Sequence, residues 1–461
     1  MDWGGYYEKS LQLLIKSGVN IGDRIMVETN DQITYGILIP RYEYSNQEHI
    51  VVKLSSGYNI GIKLSRIKKI EKMIAPNFDK KIEKSNSILN KSGIFHINTT
   101  ECSGSMNNKV KSLPTVSLLS TGGTISSRID YRTGAVSPAL SAQDLYDSVP
   151  VIQNIAIIEP DILFSEYSEN LGPRHWTMIA ERVTDQILSG KYNGIIISHG
   201  TDTMHYTAAA LSFSLQNSPI PIIIVGSQRS SDRPSSDAFL NLLGATTLAA
   251  KCDFAGIYIA MHKSCSDNQV ACHLGTRVRK NHSSRRDAFQ SIDISPIALV
   301  EDGRITRCPQ HLELEIPLRD QNRTLLSRPK FDDRVMLFKF YPGFDPNMIG
   351  QSIELGKKIL IFEGTGLGHI SSDCFHQISK AIDLGALVFM TSQCIWGQTA
   401  MTVYNTGRDL MQLGVEPLSN MISETATVKA MWALANCTVG DIKKVMTTNI
   451  ANEITPSRFL Y

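Results

Sequence analysis

The chain has 461 residues, 42% of them hydrophobic and 20% charged, which suits two or three domains with cores of their own and excludes general disorder. Its 46 Lys+Arg against 44 Asp+Glu leave a net charge of +2, which excludes a chain-wide basic field for nucleic acid. The first residues hold no basic-then-apolar pattern, the apolar runs are too short to cross a bilayer, and the eight cysteines form no CxxC pair; a cytoplasmic chain with free thiols is expected.

A short helical pattern through Leu11, Leu13, Leu14 and Ile15 ends at Gly18. Short β-rich runs follow at 24–29, 33–39, 50–54, 58–64 and 67–70, separated by turn residues such as Asn30-Asp31. Strands this short and this close predict a small SH3-like β-barrel over residues 1–71. Its end is basic, with eight Lys/Arg and three acids between 63 and 84. Such a run reads first as a solvated strand edge, and second as a contact to RNA phosphate or an acidic partner, without the aromatic interleaving that base stacking needs. Residues 72–112, rich in Asn, Lys and Ser, are predicted to be a linker.

Beyond Leu113 apolar runs alternate with helical stretches. The runs fall at 116–119, 195–197, 220–225, 256–260, 335–340, 359–362 and 386–390. Continuous apolar strands separated by helices predict a mostly parallel sheet covered on both faces. The polar stretch 319–334 divides a larger α/β domain, 113–318, from a smaller one, 335–461. In the smaller domain Trp396 and Tyr404 are read as core or subunit contacts, and the 423–437 helix as an interface element.

Two glycine motifs follow strand ends, Ser120-Thr121-Gly122-Gly123-Thr124-Ile125 and Ser198-His199-Gly200-Thr201-Asp202-Thr203. The carboxyl ends of strands are where open α/β sheets bind ligands. Glycines let backbone N–H groups face a developing negative charge, and the flanking hydroxyls can attack a carbonyl. Neither motif has phosphate-loop spacing, and there is no GxSxG elbow. A hydroxyl nucleophile needs an activating neighbour, which Thr201 and Asp202 offer. Lys280, in Gly275-Thr276-Arg277-Val278-Arg279-Lys280, is a candidate to complete a relay; the alternative is one more surface charge in a basic run. His262, Cys265, Cys272 and His273 fit no common structural zinc spacing. His205 reads as a packed helix residue.

Together the two motifs and the Lys280 segment resemble the L-asparaginase/glutaminase family of threonine amidohydrolases over residues 113 to about 440. Within it the chain is similar to the glutaminase-type subunits of archaeal tRNA-dependent amidotransferases. The stretches that carry this are 126–136, 164–170, 284–289 and 391–394, with the additional N-terminal β-domain. The resemblance implies an asparaginase-like two-domain parallel-sheet fold after a small β-barrel. It implies Thr124 as nucleophile, Thr201, Asp202 and Lys280 as the assisting set, and Tyr131, Ser168 and Glu169 as substrate-binding residues. Position 169 is Glu where many free asparaginases have Gln, which bears on the choice between Gln and Asn. The resemblance further implies no metal or cofactor in this chain. A partner, the kinase/transamidase E subunit in that family, uses ATP and Mg²⁺ to convert Glu-tRNA(Gln) to Gln-tRNA(Gln), around a homodimer core in a heterotetramer. A free-standing L-asparaginase, and a non-catalytic scaffold, are the competing readings.

Overall fold

The computed structural model describes residues 5–40, 48–54, 59–73, 113–123, 127–129, 136–138, 150–230, 236–309 and 314–455. The predicted linker, apart from Lys72 and Met73, lies outside them, as do Thr124 and Tyr131.

Helix Glu8–Lys16 precedes a five-stranded antiparallel sheet. Its strands Arg24–Thr29, Ile33–Leu38, His49–Lys53 and Asn59–Lys63 run as a meander, and Ile67–Lys72 returns to pair with the first. The turn of 3₁₀ helix Leu64–Arg66 makes that return. Alternate side chains point inward, as the period of two requires. Ile25, Val27, Leu38, Ile50, Val52 and Ile70 thus meet Leu14 of the helix in one small core. The Tyr6 hydroxyl bridges the second and third strands, donating to Ile39 O and accepting from Val51 N, each at 2.9 Å.

The larger α/β unit holds an eight-stranded sheet. Ile157–Glu166, Thr115–Gly122, Gly194–Ser198, Pro221–Val225 and Gly256–His262 lie side by side and parallel. Gln269–Leu274, Ala298–Glu301 and Arg304–Arg307 extend it antiparallel, so the sheet is less uniformly parallel than the apolar runs suggest. Both faces are buried. Ile195, Ile197, Ile222, Ile224, Ile257 and Ile259 pack on one side with helices Pro173–Leu188 and Met204–Ser214. Ile196, Ile223, Val225, Tyr258 and Ala260 pack on the other with helix Ala238–Lys251. Strands covered on both faces have no polar face to show, which is why they read as unbroken apolar runs.

The smaller unit is a four-stranded parallel sheet of Val335–Lys339, Ile359–Gly364, Leu387–Ser392 and Glu416–Pro417. Helix Ser423–Asn436 joins the two units: Trp432, Ala426, Ala430 and Ala433 share a core with Ala209, Ala210 and Phe213 of Met204–Ser214. Met204–Ser214 is therefore buried nearly all round, and its sequence shows no polar face, its hydroxyls and His205 being scattered among small and apolar residues. The 423–437 segment is an interface element within the chain itself. Trp396 and Tyr404 are 48% and 59% exposed, so neither is core. The 319–334 stretch includes a short strand, Leu326–Ser327, paired with Leu215–Gln216.

Candidate active site

Three loops leave the carboxyl ends of three adjacent parallel strands and meet. The strands run away from Thr115–Gly122 in opposite spatial directions, Ile157–Glu166 on one side and Gly194–Ser198 on the other. This is a topological switch point, where loops diverge and leave a crevice. Gly123 has φ +86°, and a Cβ there would lie 2.2 Å from Gly200 N. A Cβ on Gly200 would lie 2.7 Å from Cβ of Ser168. The paired glycines of the first motif and the single glycine of the second are thus what allows the loops to touch.

Hydrogen bonds lock this approach. Thr121 Oγ1 donates to Ser198 O at 2.8 Å, and Thr203 Oγ1 to Ser168 O at 2.6 Å. Ser168 is buried in the 3₁₀ turn Ser168–Asn170, whereas Glu169 beside it is exposed. His199 is fully buried, with Nδ1 2.6 Å from Gly200 O and Nε2 2.8 Å from Thr207 Oγ1. Trp176 Nε1 donates to the same Thr207 oxygen at 3.1 Å. Since a carbonyl can only accept, the proton sits on Nδ1, and Thr207 donates to Nε2. Burial pulls His199 down to about 4, so the ring is neutral at pH 7 and holds the Gly200 peptide. His205, also buried, is pulled down to about 3 by desolvation and then by the nearby Arg279 and Lys280 charges. It is a packed neutral ring.

Lys280 reaches this point from a different part of the chain. Strand Val278–Lys280 pairs with Phe289–Ser291 in a hairpin, and the lysine side chain is only 8% exposed. Its Nζ donates to Thr201 Oγ1 at 2.8 Å and to Asp202 Oδ1 at 2.6 Å. Asp202 itself is 67% exposed at the side chain. The structure therefore brings Thr201, Asp202 and Lys280 into direct contact, with Ser168 against the Gly200 peptide between them and the end of Thr115–Gly122. Thr124 follows that strand by two residues.

Two features of this region are silent in the sequence. Arg279 pairs with Glu424 at 2.6 Å, linking the Lys280 strand to helix Ser423–Asn436. Arg277, in a run that reads as surface charge, is wholly buried. The histidines of the zinc-like spacing bond within the protein: His262 Nδ1 lies 2.6 Å from Asn241 Oδ1, and His273 Nδ1 2.8 Å from Ser291 Oγ. Cys272 and His273, as strand neighbours, face opposite sides of the sheet. None of the seven described cysteines is in a disulfide. Among the described residues no helix is long and apolar enough to cross a membrane.

The fold and site define an asparaginase-type amidohydrolase. Residues 115–311 match the family described as asparaginase, N-terminal, and residues 334–446 match the glutaminase/asparaginase C-terminal domain. The L-asparaginase structure from Thermococcus kodakarensis aligns with a TM-score of 0.66 at 33% identity, covering 74% of this chain and 100% of that one. Residues 19–73 match the GatD N-terminal domain. The D subunit of the Pyrococcus furiosus glutamyl-tRNA(Gln) amidotransferase is 43% identical over 451 residues, covering 96% of this chain and 97% of its own length. The Sulfolobus acidocaldarius protein of that name is 43% identical over 450 residues, covering 97% and 95%. The chain belongs to the family of archaeal glutamyl-tRNA(Gln) amidotransferase D subunits.

Proposed function

We propose that this chain is the ammonia-releasing subunit of a tRNA-dependent amidotransferase. It hydrolyses the side-chain amide of glutamine, or of asparagine, and supplies ammonia to a partner subunit that converts Glu-tRNA(Gln) to Gln-tRNA(Gln). The observation that carries the chemistry is the contact of Lys280 Nζ with both Thr201 Oγ1 and Asp202 Oδ1 beside the glycine loops.

In this reading Thr124 Oγ attacks the amide carbon and gives up its proton along Thr201 to Lys280, which passes one of its own to the Asp202 carboxylate it already touches. Backbone N–H groups around Gly123 and Thr201 stabilise the oxyanion of the tetrahedral intermediate, a contribution of about 3 kcal/mol for each well-placed donor. The proton returns to the leaving nitrogen, the C–N bond breaks and ammonia departs. Water then attacks the Thr124 ester, releasing glutamate and restoring the hydroxyl. Ser168 and Glu169 hold the α-carboxylate and α-amino groups, the exposed Glu169 carboxylate pairing with the ammonium. Tyr131 hydrogen-bonds the nucleophile. This chain needs no metal or cofactor for these steps; ATP and Mg²⁺ serve the partner, the E subunit of the amidotransferase, which consumes the ammonia. A homodimer of this chain forms the core of a cytoplasmic heterotetramer.

A free-standing asparaginase leaves the 19–73 match, and the folded sheet it covers, without a role. Near-full-length similarity to the D subunits includes that sheet. The catalytic reading is tested by ammonia release from glutamine by the purified chain. Thr124→Ala should abolish it; release at an unchanged rate contradicts the assignment of the nucleophile and revives the scaffold reading.

A further inference from the structure

Lys280 lies on a strand whose other end is tied to the far end of the chain. Arg277, three residues earlier, is fully buried. Its Nη1 donates to Asn420 O at 2.7 Å and its Nη2 to Thr455 Oγ1 at 3.0 Å, and Asp293 Oδ2 stands 3.9 Å away. Desolvation draws this guanidinium down to about 10, against the pull of Asp293 and Glu453. Thr276 is held twice: its Oγ1 donates to Ala451 O at 2.8 Å, and its carbonyl accepts from Thr425 Oγ1 at 2.9 Å. The receiving segment is itself braced. Glu453 accepts from Ile450 N and Ala451 N and pairs with Lys429, both side chains being wholly buried. Thr455 N donates to Asn420 Oδ1 at 3.1 Å.

Burying a guanidinium is costly, and a hydrophobic residue of similar size would fill the space more cheaply. What the guanidinium adds is direction: two donors on two separate segments fix the backbone of its own strand. Three residues of extended chain carry that placement about 10 Å to Lys280. A reacting group displaced by about 1 Å can cost about 100-fold in rate.

We propose that residues 449–455 are a positioning element of the amidohydrolase site, acting through Thr276 and Arg277 to hold Lys280 against Thr201 and Asp202. This rests on the relay role given to Lys280 above. Arg277 touches no substrate; it is a positioning residue.

The test uses the full-length chain and ammonia release from glutamine. Arg277→Met should lower kcat about 30- to 100-fold with KM within about twofold. Arg277→Lys, which keeps the charge and one donor direction, should recover at least about fivefold of that loss. Thr455→Val, which removes one acceptor at nearly constant volume, should cost about three- to tenfold in kcat. Added to Lys280→Met, Arg277→Met should cost nothing further, because two residues acting through one group are not additive. A purely architectural arginine would instead carry its full loss onto the Lys280→Met background. That result, or wild-type kcat in Thr455→Val and Arg277→Met, overturns the inference. If Arg277→Met does not fold, Thr455→Val decides alone: kcat within twofold of wild type overturns it. Full activity in Lys280→Met itself contradicts the relay reading rather than the positioning.

Discussion

In the N-terminal sheet the charges pair across the surface: Lys69 with Glu71 and Lys72 with Asp23, each at 2.7 Å, and Arg66 with Asp31. The α/β units have surface pairs of the same kind, Arg182 with Asp161 and Arg307 with Asp253 among them, but they also take some charges inside. Lys280 is 8% exposed at the side chain, and Lys429 and Arg277 are not exposed at all. His199, His205 and His273 are buried neutral rings. Exposed pairs are worth a few tenths of a kcal/mol, whereas a buried charge left without its partner costs several. The small sheet presents polar groups that can change at little cost to the fold. The α/β units also hold buried polar groups whose placement the fold fixes, Lys280 against Thr201 and Asp202 among them.

That contrast can be broken most forcefully at Lys280. Lys280→Met should lower ammonia release from glutamine by about 1,000-fold, the scale of a lost proton-transfer group, with the chain still folded by circular dichroism. Next comes the contact between the glycine loops. Gly123→Ala places a Cβ 2.2 Å from Gly200 N at a left-handed φ, and should cost about 100-fold in kcat/KM by forcing the loops apart. A variant of near wild-type activity would mean that the loops do not need their close approach.

The third effect is on stability. Burial depresses His199 to about 4 and His205 and His273 to about 3, below the value of about 6.5 in the unfolded chain. Between these limits the unfolded state binds protons that the native state does not. Stability is therefore fully present above about pH 6.5 and is lost as pH falls towards 4. Urea unfolding at pH 7.5 and 5.5 should differ by up to about 1.4 kcal/mol for each ring. The smallest effect belongs to the other region: Arg66→Ala should change stability by less than about 0.5 kcal/mol and leave ammonia release from glutamine unchanged. A larger change would show that the surface pairs of the sheet carry more than their exposure allows.

How much of this could be read from residues alone follows the same division. The run Ile220-Pro221-Ile222-Ile223-Ile224-Val225 announces a parallel strand buried on both faces, and Pro221–Val225 is one. The antiparallel end of the sheet is less visible, because Gln269–Leu274 is also buried on both faces and its apolar run carries no mark of direction. Helix Ser423–Asn436 looks polar at its start, yet it is buried there. Its polar groups are spent inside the chain, Thr425 on Thr276 O and Glu424 on Arg279. The glycine motifs, Thr201, Asp202 and Lys280 stand out as residues, but their meeting depends on a contact 78 residues apart in sequence. Arg277 is the clearest case of hidden burial: in a basic run it cannot be told from Arg285, which is exposed, until its acceptors from the C-terminal segment are in place.

In the proposed function this amidohydrolase site works for a partner. The direct measurement is ammonia release from glutamine by the full-length chain, alone and then with the partner subunit, Glu-tRNA(Gln) and ATP. Slow release alone and strong stimulation by those additions are expected, with Gln-tRNA(Gln) formed in step. Full activity without them, undiminished by deleting residues 1–112, would contradict the claim and mark the chain as a free-standing asparaginase.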